Sequence, residues 1–196
     1  MRKIIVLSFI SLDGVMQAPG GPGEDPSGNF TLEGWAAGYW DDFLSSTMDK
    51  QIGHSFDLLL GRKTYDIFAD YWPKFPDSSI SKATKYVVTH RPLPPDWEKS
   101  IQISGDAVAE IIKLKESNGP ELQVHGSSSL IQILLKHDLI DELWLKIFPI
   151  TLGKGKKLFG EGTIPAAFTL THCEASPNGI IIANYKRSGD VKTGSF

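Results

Sequence analysis

Short apolar runs rich in branched residues alternate with segments of helical period from residue 3 to residue 135. KIIVLSFIS (3–11), FDLLLG (56–61), TKYVVTH (84–90), SIQIS (100–104) and ELQVHG (121–126) read as strands. Strands buried on both faces need such continuous apolar runs. Residues 36–53 place Tyr39, Trp40, Phe43, Leu44, Met48 and Ile52 at helical spacing. Lys63–Tyr71 is a second helix, stopped by Pro73, and Asp106–Glu116 a third, with Ser104 as candidate N-cap. Leu130–Leu135 is a fourth. DELWLKIFPIT (141–151) follows as a strand. FTLTHCEA and GIIIANYKR then form a hairpin around Ser176-Pro177-Asn178-Gly179. This order predicts an α/β fold: one mixed, mostly parallel sheet with helices on its faces and an antiparallel C-terminal hairpin. The 196 residues suit a single domain spanning 1–196, with no linker and no repeat.

Composition removes several function classes. The net charge of -3, with no polybasic block, gives no footing for nucleic acid. The single cysteine, Cys173, excludes an internal disulfide and a Cys-pair zinc site. It reads as a small buried hydrophobe. The histidines are scattered, so no metal is expected, and His125 reads as a hydrogen-bonded core residue. The opening MRKIIVLSFISLDG is too short and too polar for a leader and reads as a first buried strand. No apolar run reaches the roughly 20 residues of a membrane span. A soluble, cytoplasmic protein with a small-molecule substrate is expected.

The stretch DGVMQAPGGPGEDPSGNFTLEGW (13–35) carries six glycines and three prolines before Trp35. A loop of about 20 residues leaving a buried strand is more often functional than idle.

Ligands of open α/β sheets sit at the carboxyl ends of the strands. Three ends here share a composition: Gly61-Arg62-Lys63-Thr64, Thr89-His90-Arg91-Pro92 and Gly126-Ser127-Ser128-Ser129-Leu130. Helix N-termini present free N–H groups and about half a positive charge. Glycine lets backbone approach a phosphate, hydroxyls donate to it, and arginine grips it bidentately. A dinucleotide suits three such ends, with Arg62 and Arg91 placed for a 2'-phosphate. Neither a G-x-G-x-x-G nor a G-x-x-x-x-G-K-[ST] motif is present.

SLDG (11–14), LLLGRKTYD (58–66), VVTHRP (87–92) and VHGSSSLIQILLKHDLIDELWLKIFPITLGKGKKLF (124–159) together resemble the dihydrofolate reductase-like superfamily, and more closely the branch of the bacterial riboflavin-pathway reductase domain. The resemblance implies a three-layer αβα fold, a cytoplasmic homodimer and NADPH as cofactor. It implies a reductase of a small heterocyclic or sugar-derived substrate, with a pterin reductase as one alternative and a non-catalytic nucleotide-binding module as another. It places Gly61, Arg62 and Thr64 along the phosphate groove, Thr89, His90 and Arg91 at the adenosine end, and Gly126 with Ser127, Ser128, Ser129 and Leu130 at the pyrophosphate, the serines capping a helix. The long loop would close over nicotinamide and substrate. Asp42 is the preferred catalytic carboxylate, with Asp41 and Asp13 behind it. The resemblance also makes Asp13 an expected substrate contact, and Trp35 and Trp40 would stack on a flat ring. Motifs of the zinc deaminase that accompanies some riboflavin-pathway reductases are absent.

Overall fold

The computed structural model describes residues 1–195. Eight strands form one sheet: β1 Ile4–Ser11, β2 Phe56–Gly61, β3 Lys85–Val88, β4 Ser100–Ile103, β5 Glu121–His125, β6 Glu142–Phe148, β7 Ala167–Ala175 and β8 Ile181–Gly189. Five helices join them: α1 Asp42–Ile52, α2 Arg62–Tyr71, α3 Ser79–Lys82, α4 Ala107–Glu116 and α5 Ser128–Lys136. The sheet order is β4-β3-β2-β5-β1-β6-β8-β7. The first six strands in that order run parallel, and β8 and β7 pair antiparallel at the end. The predicted mixed α/β sheet is therefore the one found.

Alternation along the strands sets the layers. Ile4 and Val6 of β1, Leu59 of β2, Leu122 and Val124 of β5 and Leu143 and Leu145 of β6 pack with Ile111 of α4 and Ile131 and Leu134 of α5. On the other face Phe56, Leu58 and Leu60 pack with Tyr65 of α2 and Ile80 of α3. Phe148 and Ile182 pack there with Leu44 of α1. The result is a three-layer αβα fold.

Several boundaries differ from the sequence reading. The helix expected over 36–53 begins only at Asp42, because Trp40 is extended and Asp41 caps the helix by accepting the Leu44 N–H at 2.7 Å. α3 carries too short a pattern to be read from period. Cys173, expected buried, is exposed, because β7 is the uncovered edge strand. Among the described residues no helix is long and apolar enough to cross a membrane.

The long loop is a fitted strap. Val15, Ala18 and Phe30 form their own buried cluster. The Gln17 side chain donates to the carbonyls of Asp25 and Ser27 and accepts the Lys156 N–H. Trp35 Nε1 donates to the Gln17 carbonyl at 2.7 Å. Asp25, itself buried, is gripped by Lys63 of α2 and by Lys156, the latter at 2.6 Å.

Candidate functional site

Because β2 and β5 are neighbours, the turns that follow them meet at one sheet edge. Ser127 Oγ accepts the Gly61 N–H at 3.0 Å, and the Ser127 N–H donates to Thr64 Oγ1 at 2.9 Å. A Cβ on Gly61 would lie 3.6 Å from Ser127 Cβ, and one on Gly126 3.5 Å from Thr64 Oγ1. Gly126 and Ser127 both take positive φ, 57° and 62°, so the chain turns left-handed twice before α5. The sequence signal for this pair of turns was the glycine followed by hydroxyls.

The lacing has a consequence for the helix ends. Ser127 stands at the N-cap of α5, but its hydroxyl is spent on Gly61, and no side chain caps α5. The expected serine cap is thus not made. α2 starts at Gly61 and also has no side-chain cap. By contrast α1, α3 and α4 are capped by Asp41, Ser78 and Asp106. Two adjacent helices therefore present bare N-termini at the same edge, and such ends attract anions.

The third strand end lies beside them through the β2–β3 pairing. Thr89 is buried, with Oγ1 accepting the Arg91 N–H at 3.1 Å. His90 is exposed. Arg62 is already engaged: Nε donates to Asp66 at 2.7 Å and Nη1 to the carbonyls of Arg91 and Pro92. It fixes the 89–92 turn against α2. Arg91 is mostly exposed, with only a long 3.4 Å contact to Asp66, and is the freer cation.

The predicted carboxylates separate. Asp42 lies on the exposed side of α1. Asp13 accepts from Ser11 Oγ at 2.6 Å and from the Leu152 and Gly153 N–H groups at 3.0 and 2.8 Å. The Ser11 and Leu152 hydrogen bonds pull its pKa down to about 2. Asp13 is an ionised anchor for the 152–153 turn. Asp41 is different: Oδ1 caps α1, while Oδ2 is buried without a partner. A buried acceptor left open is a candidate ligand contact.

The two tryptophans also separate. Trp35 packs edge-on against Phe148 at 5.1 Å and belongs to the core. Trp40 is 48% exposed and stands edge-on to Phe9 at 6.0 Å. Beneath α1 lies a group the sequence reading did not single out, Lys146 of β6, fully buried. Its strand reads as apolar, and nothing in the local pattern marks this lysine as buried. His125 is half-buried, with Nε2 3.0 Å from Gln123 Oε1 and its ring against Phe56 and Phe68. Among the described residues no three His, Cys, Asp or Glu side chains gather as a metal-binding group.

Comparison with known proteins agrees with this fold. Residues 2–182 match the RibD C-terminal domain family. The uncharacterized protein YyaP of Bacillus subtilis (strain 168) is 31% identical over 170 residues, covering 81% of this chain and 80% of its own. The uncharacterized protein YwjB of the same organism is 32% identical over 164 residues, covering 83% and 85%. Among solved structures, a candidate riboflavin biosynthesis protein from Shewanella sp. PV-4 is similar with a TM-score of 0.67 and 25% identity, over 95% of this chain and 99% of the other. A pyrimidine reductase-like protein from Corynebacterium diphtheriae shares the fold with a TM-score of 0.62 at 12% identity, over 96% and 93%. With a family match over residues 2–182, nearly its whole length, the chain belongs to the RibD C-terminal domain family, which is of reductase type.

Proposed function

We propose that this protein is an NADPH-dependent reductase of a small heterocyclic or sugar-derived substrate, similar to 5-amino-6-(5-phosphoribosylamino)uracil reductase. The observation that carries the reading is the pair of uncapped N-termini of α2 and α5 at neighbouring strand ends. Their free N–H groups and dipoles suit a pyrophosphate, and Gly61 and Gly126 keep Cβ atoms out of its path. Thr64, Ser128, Ser129 and Leu130 complete that edge. Arg91 supplies the exposed cation for a 2'-phosphate, with Arg62 holding its turn in place. Bound there, reduced nicotinamide supplies a hydride. The chain's own part is to orient the acceptor, exclude water with the 13–35 strap, and hold a proton or hydrogen bond at Asp41 Oδ2.

The test is isothermal titration of the full chain with NADPH and with NADH, repeated on Arg91→Ala. NADPH should bind more tightly, and Arg91→Ala should remove most of that preference, about ten-fold or more. Equal binding of both nucleotides by both proteins would remove the 2'-phosphate assignment. Binding of neither would remove the reductase reading.

A further inference from the structure

Asp25 is one anion held by two cations that belong to different parts of the fold. Its Oδ2 accepts from Lys156 Nζ at 2.6 Å, and its Oδ1 accepts from Lys63 Nζ and from the Ser27 hydroxyl. Ser27 is part of the strap. Lys156 is tied to the strap by its backbone: its N–H donates to Gln17 Oε1 at 2.9 Å, and its carbonyl accepts the Met16 N–H at 2.8 Å. Lys63 belongs instead to α2, directly after its first residue, Arg62. Among the described residues, the Asp25–Lys63 pair is the one hydrogen-bonded or ionic link from strap residues 13–35 to α2 or α5.

This link is the easiest of the three to give up. Parting Asp25 from Lys63 leaves the carboxylate with Lys156 and Ser27, so no buried charge is stranded. The Lys63 side chain is 51% exposed on a flexible four-carbon stem, so its ammonium is able to change partner. An open hollow of about 270 Å³, lined in part by Ser27, Phe30 and Lys156, adjoins the clamp and admits solvent to it. The Lys63 N–H stands in the uncapped first turn of α2, where helical N–H groups have no partner within the helix. An anion seated at that end therefore lies within the same helical turn as Lys63. A doubly charged pyrophosphate there competes for the ammonium against a singly charged carboxylate.

We propose that the Asp25–Lys63 pair is an autoinhibitory latch: it fastens the strap to α2 until the pyrophosphate of a nucleotide takes Lys63 and opens it. This rests on the reductase reading, which puts the nucleotide at the N-termini of α2 and α5. The latch has the opposite sign from a plain lid. A ligand beneath a plain lid holds it down, whereas nucleotide here frees the strap from α2.

The test is limited proteolysis of the full chain in the 20–23 stretch, with and without saturating NADPH. Beside it, NADPH is titrated into the wild type, Asp25→Asn, Lys63→Met and the double variant. NADPH should quicken cleavage of the wild-type strap by about three-fold or more, since cleavage follows the population of the open form. Asp25→Asn keeps an acceptor for Ser27 but loses the charge, and should bind NADPH about five-fold more tightly, the worth of a partly exposed ion pair. In the Lys63→Met background the same change should leave the affinity as it is, because the latch is already gone. Protection of the strap by NADPH, no tightening in Asp25→Asn, or equal tightening in both backgrounds would overturn the latch. Should Asp25→Asn fail to fold, the wild-type proteolysis decides. NADPH binding with an unresponsive strap sinks this inference alone. No NADPH binding by any of the four proteins removes the reductase reading and the latch with it.

Discussion

Ser127 Oγ accepts the backbone N–H of Gly61 at 3.0 Å, across 66 residues of sequence. One hydroxyl thereby ties two strand ends together and leaves the α5 N-terminus bare. Ser127→Ala should cost about 1–2 kcal/mol in urea unfolding, the usual loss when a partly buried N–H is orphaned. It should also weaken NADPH by several-fold, because the two bare N-termini would no longer be held in register. Unchanged stability and unchanged binding would together show that the tie is incidental.

Asp25 governs the strap. Burial would raise its pKa, but hydrogen bonds from Lys156, Lys63 and Ser27 outweigh this and hold the carboxyl well below its usual range. Its contribution to stability is therefore present above the ordinary value near 3.8 and lost as pH falls below it. Asp25→Ala should destabilise by about 1–3 kcal/mol, less than a fully buried pair because both lysines are partly exposed. Limited proteolysis in the glycine-rich 20–23 stretch should quicken in the variant. Proteolysis at the wild-type rate would contradict the clamp.

The three aspartates should separate by assay. Asp41→Asn keeps a good N-cap but removes the carboxylate. Once an acceptor is found, its turnover should fall by about 100-fold or more. Asp42→Asn should stay within about two-fold, as expected of an exposed substitution. Asp13→Asn should lower the melting temperature, since it weakens the anchor of residues 152–153. A larger loss of turnover for Asp42→Asn than for Asp41→Asn would reverse the assignment.

Lys146 also predicts a pH profile. Burial pushes its pKa down to about 7, against 10.5 in an unfolded chain. Between those values the unfolded state binds more protons, so stability should rise with pH, by up to about 1.4 kcal/mol per unit. Lys85, pushed down to about 8 chiefly by burial, adds to the slope above that value. Lys146→Met should abolish the rise between about pH 7 and 8 and leave the Lys85 part. Chemical denaturation across this range gives the answer, and an unaltered slope would mean Lys146 titrates normally.

β7 offers a free edge nine residues long, with Leu170 exposed. Exposed edges of this length invite pairing with another chain. Sedimentation at micromolar concentration should find a dimer, and a β7 substitution such as Leu170→Lys should shift it toward monomer. A wild-type monomer would end this expectation.

Much of this protein was legible in its sequence. Short apolar runs without alternation, as in FDLLLG, read as strands covered on both faces, and their alternation with helical segments implies parallel crossovers. The glycine and hydroxyl residues at Gly61, Thr64, Gly126 and Ser127 marked two strand-end turns that meet at one sheet edge, because left-handed turns and close approaches restrict residue choice locally. What each polar side chain does there was decided only by tertiary contact. Ser127 bonds across to Gly61 instead of capping its own helix. Arg62 is consumed by Asp66 and by carbonyls 29 and 30 residues away, leaving Arg91, with its long contact to Asp66, the freer cation. Asp41 turns inward and Asp42 outward because Asp41 is still extended, as the N-cap, while helix α1 starts at Asp42. Lys146 is buried because a helix about a hundred residues earlier in the chain lies over it. Local pattern reports the backbone a residue prefers. The partner of a side chain is set by which strands become neighbours, and that is a property of the folded sheet.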